Sequence, residues 1–104
     1  MKLNASELKK KLNLDLLSWS LTSEGEIVRT VSRNQIQGRY FGEVVESIWT
    51  LAEEADHHPG ILLQYNEIKI TLVTHDEAGV TLKDIEMAKK IDSLLLRFFK
   101  VSKI

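Results

Sequence analysis

All three histidines of the chain, His57, His58 and His75, fall in one stretch between Glu53 and Asp84, together with its only proline, Pro59. The stretch reads Glu53-Glu-Ala-Asp-His57-His58-Pro59, then Tyr65, Thr74-His75-Asp76 and Thr81-Leu-Lys83-Asp84. Histidine is the side chain whose ordinary pKa lies nearest neutrality, so this clustering points to proton transfer or metal binding. A metal site needs several ligands converging at about 2.0–2.1 Å, and adjacent histidines in an extended segment point to opposite sides. His57 and His58 are therefore poor co-ligands of one ion. General acid–base chemistry asks only for hydrogen-bond reach, and one imidazole can act while its neighbour binds the substrate. The competing reading is three unrelated surface or hydrogen-bonding histidines.

The acidic residues around them have two readings each. Glu53 and Asp56 belong to the last turn of a helix, where either can orient a histidine or simply face solvent. Asp84 stands three residues after Thr81, the arrangement of a capping box, so helix capping explains it without any catalysis. With no cysteine in the chain, disulfides, thiolate nucleophiles and the common structural zinc sites are excluded. No serine sits in a nucleophile elbow, and no glycine-rich loop is present to cradle a phosphate.

The elements that must position this stretch follow from periodicity. Asn4 with Glu7 forms a capping box, and Leu8 and Leu12 share one face of a short helix over residues 4–12. The run Lys9-Lys10-Lys11 on that helix reads as a solvated face. Trp19-Ser-Leu21 and Ile27-Val-Arg-Thr-Val31 flank the turn Ser23-Glu24-Gly25-Glu26, which predicts a β-hairpin, with Trp19 as a core residue. Residues 32–39 are a polar connection ending in Gly38. From Tyr40, apolar residues at Phe41, Val44, Val45, Ile48, Ala52 and Ala55 predict an amphipathic helix that stops near His57, because Pro59 forces His58 into an extended conformation. Both histidines then lie just past a helix C-terminus, whose dipole favours imidazolium.

Two strands are expected next, Ile61–Tyr65 and Glu67–Thr74. In the second, Ile68, Ile70 and Leu72 take one face and Lys69, Thr71 and Val73 the other, with His75 continuing the polar side. The extended residues from Tyr65 to His75 span about 33 Å, so Tyr65 reads as a packing residue, or as one that contacts the site only because the chain turns near Asn66. After the loop Asp76–Gly79, Thr81 and Asp84 open a last helix with Ile85, Ala88, Ile91, Leu95 and Phe98 on one stripe. Leu94, Leu96 and Phe99 make its end apolar nearly all round, which predicts a subunit interface. The order helix, hairpin, helix, two strands, helix predicts an α+β domain: an antiparallel sheet with helices packed on one face.

The 104 residues suit one domain, residues 1–104. A net charge of −1 offers no basic face for nucleic acid. No apolar run approaches the roughly 20 residues that span a bilayer. The N-terminus lacks the apolar core of a signal peptide, and a cytoplasmic protein is expected.

The pattern Glu53-x3-His57-His58-Pro59-x5-Tyr65-x9-His75-x8-Asp84 resembles the signature of the pterin-4a-carbinolamine dehydratases, including the Thr74-His75 pair, the Ala78-Gly79 turn, Asp84-Ile85 and Ala88. So many fixed spacings make the likeness specific, although it covers closely only about a third of the chain. The resemblance implies a four-stranded sheet with helices on one face, assembled as a homodimer or homotetramer. It also implies loss of water from a 4a-hydroxytetrahydropterin to give quinonoid dihydropterin, which returns to the cofactor pool of aromatic amino acid hydroxylases. The catalytic set implied is His57, His58 and His75, supported by Glu53, Asp56, Thr74 and Asp84, with no metal and no bound cofactor. His57 and His58 are expected to move protons and His75 to position or polarise the pterin. The chain departs from the family's usual aromatics at Val31, Gln35 and Gly38, has Gly60 and Ile61 after the proline where a large side chain is common, and carries Lys83 where some members have arginine. These departures bear on the shape of the pterin pocket. Some relatives also stabilise dimers of a transcription factor or serve as assembly factors, so binding a protein partner without catalysis is the alternative.

Overall fold

The computed structural model describes residues 1–37 and 41–100. Gly38, expected to end the connection, and Tyr40, expected to open the long helix, lie outside the described residues. Helix α1 (Ala5–Asp15) starts on the Asn4–Glu7 capping box: Asn4 Oδ1 accepts from Glu7 N–H at 2.8 Å and Glu7 Oε1 from Asn4 N–H at 3.1 Å. Strands β1 (Ser20–Leu21) and β2 (Ile27–Ser32) form the hairpin, and a short 3-10 turn at Arg33–Gln35 leads on to helix α2 (Phe41–Ala55). Strands β3 (Gly60–Leu63) and β4 (Glu67–Leu72) and helix α3 (Leu82–Leu95) complete the order. The sheet runs β1-β2-β4-β3 with every neighbouring pair antiparallel. This is the predicted four-stranded α+β architecture.

Strand alternation explains why the helices take one face. The register sets Ile27 opposite Leu72, Arg29 opposite Ile70 and Val31 opposite Ile68, and all six are buried. The intervening positions Thr30 and Lys69 face each other on the open side and are exposed. Against the buried side pack Leu8 and Leu12 of α1, Val44, Ile48 and Ala52 of α2, and Ile85, Ala88 and Ile91 of α3. Each fully buried aliphatic of that size stabilises the fold by about 1.5–3 kcal/mol, so the helix ends that carry the site are firmly anchored.

One member of that face is not apolar. Arg29 meets Asp92 of α3 in a salt bridge, and Asp92 Oδ1 also accepts from Trp19 Nε1 at 2.8 Å. Trp19 is in the core, as expected. The arginine–aspartate pair on the core side of the sheet was not anticipated, because polarity alone places arginine outside. Its buried charge is tolerable because it is paired and its guanidinium lies over the Phe99 ring at 5.5 Å from the centroid.

The last helix is shorter than its periodicity suggests. It ends at Leu95, and Phe98 and Phe99 lie beyond it, where Phe99 pairs with Ile36 as an isolated bridge. Leu94 and Leu95 are buried and Phe98 and Phe99 are packed against the core, leaving Leu96 as the exposed apolar residue there. The apolar surplus read as an interface thus serves mostly to close the core around β2. Among the described residues, no helix is long and apolar enough to cross a membrane.

Candidate active site

Three chain ends converge on the site. The first is the C-terminus of α2. Asp56 adopts the left-handed conformation (φ 50°), Asp56 N–H bonds Glu53 O at 3.3 Å and His57 N–H bonds Ala52 O at 3.1 Å. That pair of bonds is a Schellman motif built on an aspartate where glycine is usual. It reverses the chain so that His57 leaves the helix inward, half-buried, while His58 stays exposed. Pro59 follows and is buried.

The second end is the exit of β4. The strand stops at Leu72, so the alternation expected to carry His75 along the polar side ends two residues early. Thr74 and Gly79 instead pair through their backbones, at 3.0 Å for Thr74 N–H to Gly79 O, and close a 3-10 turn at His75–Glu77. His75 is exposed at the start of that turn. The turn's left-handed residue is Ala78 (φ 55°), not Gly79. Within it a hydrogen bond from the Met1 ammonium, reinforced by that charge and by Lys83, holds the Glu77 carboxyl below the usual carboxylate range.

The third end is the start of α3, where the sequence's capping box forms as written. Asp84 Oδ2 accepts from Thr81 N–H at 2.9 Å, and Thr81 Oγ1 accepts from Lys83 N–H at 3.2 Å. The same carboxylate does more. Its Oδ2 also accepts from the Thr74 hydroxyl at 2.8 Å, and its Oδ1 lies 2.6 Å from His57 Nε2. Asp84 is fully buried, so each of these bonds forms away from competing water. The cap read from the sequence forms, and the same side chain also meets His57, a contact the sequence did not reveal.

Donor counting then orders the protons. An ionised carboxylate only accepts, so Nε2 of His57 carries a hydrogen and Nδ1 is the ring nitrogen whose protonation Asp84 does not dictate. Thr74 gives its single hydroxyl hydrogen to Asp84, so the 2.7 Å contact between the Thr74 and Thr81 hydroxyls is donated by Thr81. Lys83 N–H donates to Thr81, Thr81 to Thr74 and Thr74 to Asp84, and His57 Nε2–H donates to the other oxygen of the same carboxylate. Such an arrangement fixes the imidazole's tautomer and orientation, as general acid–base work requires.

The other two histidines are held more loosely. His58 Nε2 is 3.5 Å from Glu53 Oε2, and the Trp49 ring lies 4.8 Å from the His58 ring at an interplanar angle of 56°. Trp49 is 46% exposed although it sits on a core helix, and its role beside His58 went unread in the sequence; the signal was its place nine residues before His58, two helical turns from the C-terminus of α2. Asp56 is exposed and shapes the turn through its backbone. Tyr65 is not a packing residue. It is 79% exposed, and its ring takes the Arg33 guanidinium at 4.8 Å, with Phe41 on that same guanidinium at 4.7 Å. Among the described residues no three His, Asp or Glu side chains are placed to hold a metal ion.

His57 opens onto a cavity of about 440 Å³ that it shares with Asp56, Leu82, Lys83 and Met87, a size that suits a small heterocyclic ligand. A family model for pterin 4 alpha carbinolamine dehydratase matches residues 1–94, which include every residue of this site. The chain belongs to the pterin-4a-carbinolamine dehydratase family. A Sulfolobus acidocaldarius protein provisionally named for that activity is 36% identical over 94 residues, covering 90% of this chain and 99% of its own. A similarly named Chloroflexus aggregans protein is 42% identical over 77 residues, covering 74% of this chain and 80% of its own. The crystal structure of a Brucella melitensis protein described as a transcriptional coactivator/pterin dehydratase superposes with a TM-score of 0.79 at 29% identity, over 90% of this chain and 98% of that one.

Proposed function

We propose that this dehydratase-family protein removes water from a 4a-hydroxytetrahydropterin to give quinonoid dihydropterin, with His57, His58 and His75 as its proton-handling set. The observation that carries the proposal is the His57–Asp84 pair at 2.6 Å, with the carboxylate fully buried and tied to Thr74 and Thr81. The reaction breaks the C4a–O bond and the N5–H bond. An imidazolium protonates the departing hydroxyl, which leaves as water. A neutral imidazole takes the N5 proton, and the electron pair it leaves forms the N5=C4a double bond. Protons balance, no electrons are exchanged, and the two histidines return to their starting states by one proton transfer between them or through solvent.

His57, whose Nε2–H is held by a carboxylate, serves as the base, because that bond stabilises the imidazolium it becomes. His58, beside Glu53 and Trp49, serves as the acid. His75, the residue after the threonine that bonds Asp84, positions or polarises the pterin. Each proton transfer contributes about 10²–10⁴-fold. The step uses proton transfers alone and asks for no cofactor. In this reading the protein works in the cytoplasm and returns its product to the tetrahydropterin pool of aromatic amino acid hydroxylases. It does so as a homodimer or homotetramer, an assembly supported by the outer strand β3, where Leu62 and Leu63 are 50% and 51% exposed.

The test is stopped-flow absorbance of carbinolamine dehydration, the substrate being made in situ by a hydroxylase. Wild type accelerates the step, and His58→Ala loses at least about tenfold of that acceleration. Dehydration no faster than in buffer overturns the enzyme reading and leaves the binding of a protein partner as the reading to pursue.

A further inference from the structure

Two of the three histidines are held by their side chains, and the third is not. His57 meets Asp84, and His58 meets Glu53 and Trp49. Among the described residues the exposed His75 ring has no hydrogen-bond or salt-bridge partner. Its place is therefore set by the turn that carries it. Strand β4 has ended at Leu72 before that turn begins, so the sheet does not fix it either.

The segment ahead of α1 lies across this turn. Leu3 N–H donates to Val80 O at 2.8 Å, and the Leu3 side chain packs against the core. One residue back, the Lys2 side chain covers Gly79: a Cβ at that glycine would stand 2.8 Å from Lys2 Cδ and 3.3 Å from Lys2 Cβ. Gly79 has no left-handed φ to call for glycine, so the close approach of Lys2 is what excludes a side chain there. The Met1 ammonium bonds Glu77 of the same turn. The far end of the segment is fixed by the Asn4 cap of α1. Beside it lies a cavity of about 400 Å³ lined by Met1, Thr74, Glu77, Thr81, Leu82 and Lys83, the last two of which also line the His57 cavity.

Resting on the dehydratase reading, we infer that Lys2 and Leu3 form a strap that positions His75 against the pterin. Both are positioning residues: they act on the histidine through Gly79 and Val80 and meet no reacting atom. A displacement of about 1 Å in a group that orients a substrate costs up to about 10²-fold in rate, so a contact this remote has a measurable effect.

The contact is tested from both sides. Gly79→Ala drives a methyl into Lys2 and lowers kcat/KM for carbinolamine dehydration about tenfold. It also shifts the imidazole Cε1–H resonance of His75 and leaves those of His57 and His58 in place; with three histidines in the chain, single His→Gln variants assign the signals. Adding Lys2→Ala to Gly79→Ala removes the obstructing stem. The rate then returns to within about threefold of wild type and the His75 resonance to its original position. In wild type the Leu3 and Thr74 amides, bonded to Val80 O and Gly79 O, exchange with deuterium together and more slowly than in an unstructured peptide, because strap and turn open as one unit. Three results overturn the inference while leaving the dehydratase intact: full activity in Gly79→Ala, a defect that Lys2→Ala does not repair, or a Leu3 amide that exchanges freely. The exchange measurement needs no variant and decides the matter should Gly79→Ala fail to fold. Wild type without turnover overturns the dehydratase reading and the inference with it.

Discussion

His57 and His58 are neighbours in sequence, yet they inhabit two different regions. The side chain of His57 is 16% exposed and meets a fully buried carboxylate at 2.6 Å; that of His58 is 36% exposed and meets a 62% exposed one at 3.5 Å. One residue step past the Schellman turn sends the first inward against α3 and leaves the second along the outer flank of α2, on Trp49. An imidazole in the first environment is held in one orientation by partners that water cannot replace. In the second it is held by a tilted contact with the Trp49 ring and by a solvent-exposed contact with Glu53 worth little. The contrast teaches that histidine chemistry here is set less by the residue than by what lies buried beneath it.

The largest effect that can break this comparison is at the inner corner. His57→Ala lowers kcat/KM for carbinolamine dehydration by about 10²–10⁴-fold and costs about 1–3 kcal/mol of stability, because the buried Asp84 carboxylate loses a donor. A loss no greater than that of Glu53→Gln would erase the distinction between the two regions. Asp84→Asn comes next. It keeps the size of the side chain but makes one end a donor, which cannot accept from both Thr74 and Thr81 while also accepting from His57. Activity falls about 10–100-fold, and denaturant unfolding shows about 1–3 kcal/mol of lost stability from the disrupted buried bonds.

Thr74→Val sharpens the comparison further, because it keeps the Asp84 side chain but removes one of its donors. A loss of about 1–2 kcal/mol in stability and a several-fold fall in kcat with KM little changed are expected. Glu53→Gln, on the outer side, changes stability by less than about 0.5 kcal/mol and activity only a few-fold. Smallest in its effect on chemistry is Ala78→Gly in the turn after His75. It relieves a left-handed alanine and raises stability by about 1 kcal/mol, read as a higher midpoint in urea, with turnover unchanged.

Much of this was legible before any fold. Capping boxes are local hydrogen-bond patterns, so Asn4 with Glu7 and Thr81 with Asp84 mark both helix starts from spacing alone. Strand alternation is equally local, and it placed Ile68, Ile70 and Leu72 on the buried face. Proline fixed where α2 had to stop. The errors lie where a local rule met a distant partner. Helical spacing through Phe98 and Phe99 looked like more helix, but the pairing of Phe99 with Ile36 ends it at Leu95. Tyr65 looked like packing, but Arg33 holds its ring at the surface.

The sequence by itself determined the family, the element order and the roster of groups able to move protons, because side-chain type, periodicity and short-range spacing carry that information. What only the tertiary structure decided is which of them act together. Asp84 is 27 residues from His57 and 10 from Thr74, and no short-range rule links the three. They meet because the end of α2, the exit of β4 and the start of α3 are packed against one core, and because a buried carboxylate must find hydrogen-bond donors, here three, or remain uncompensated.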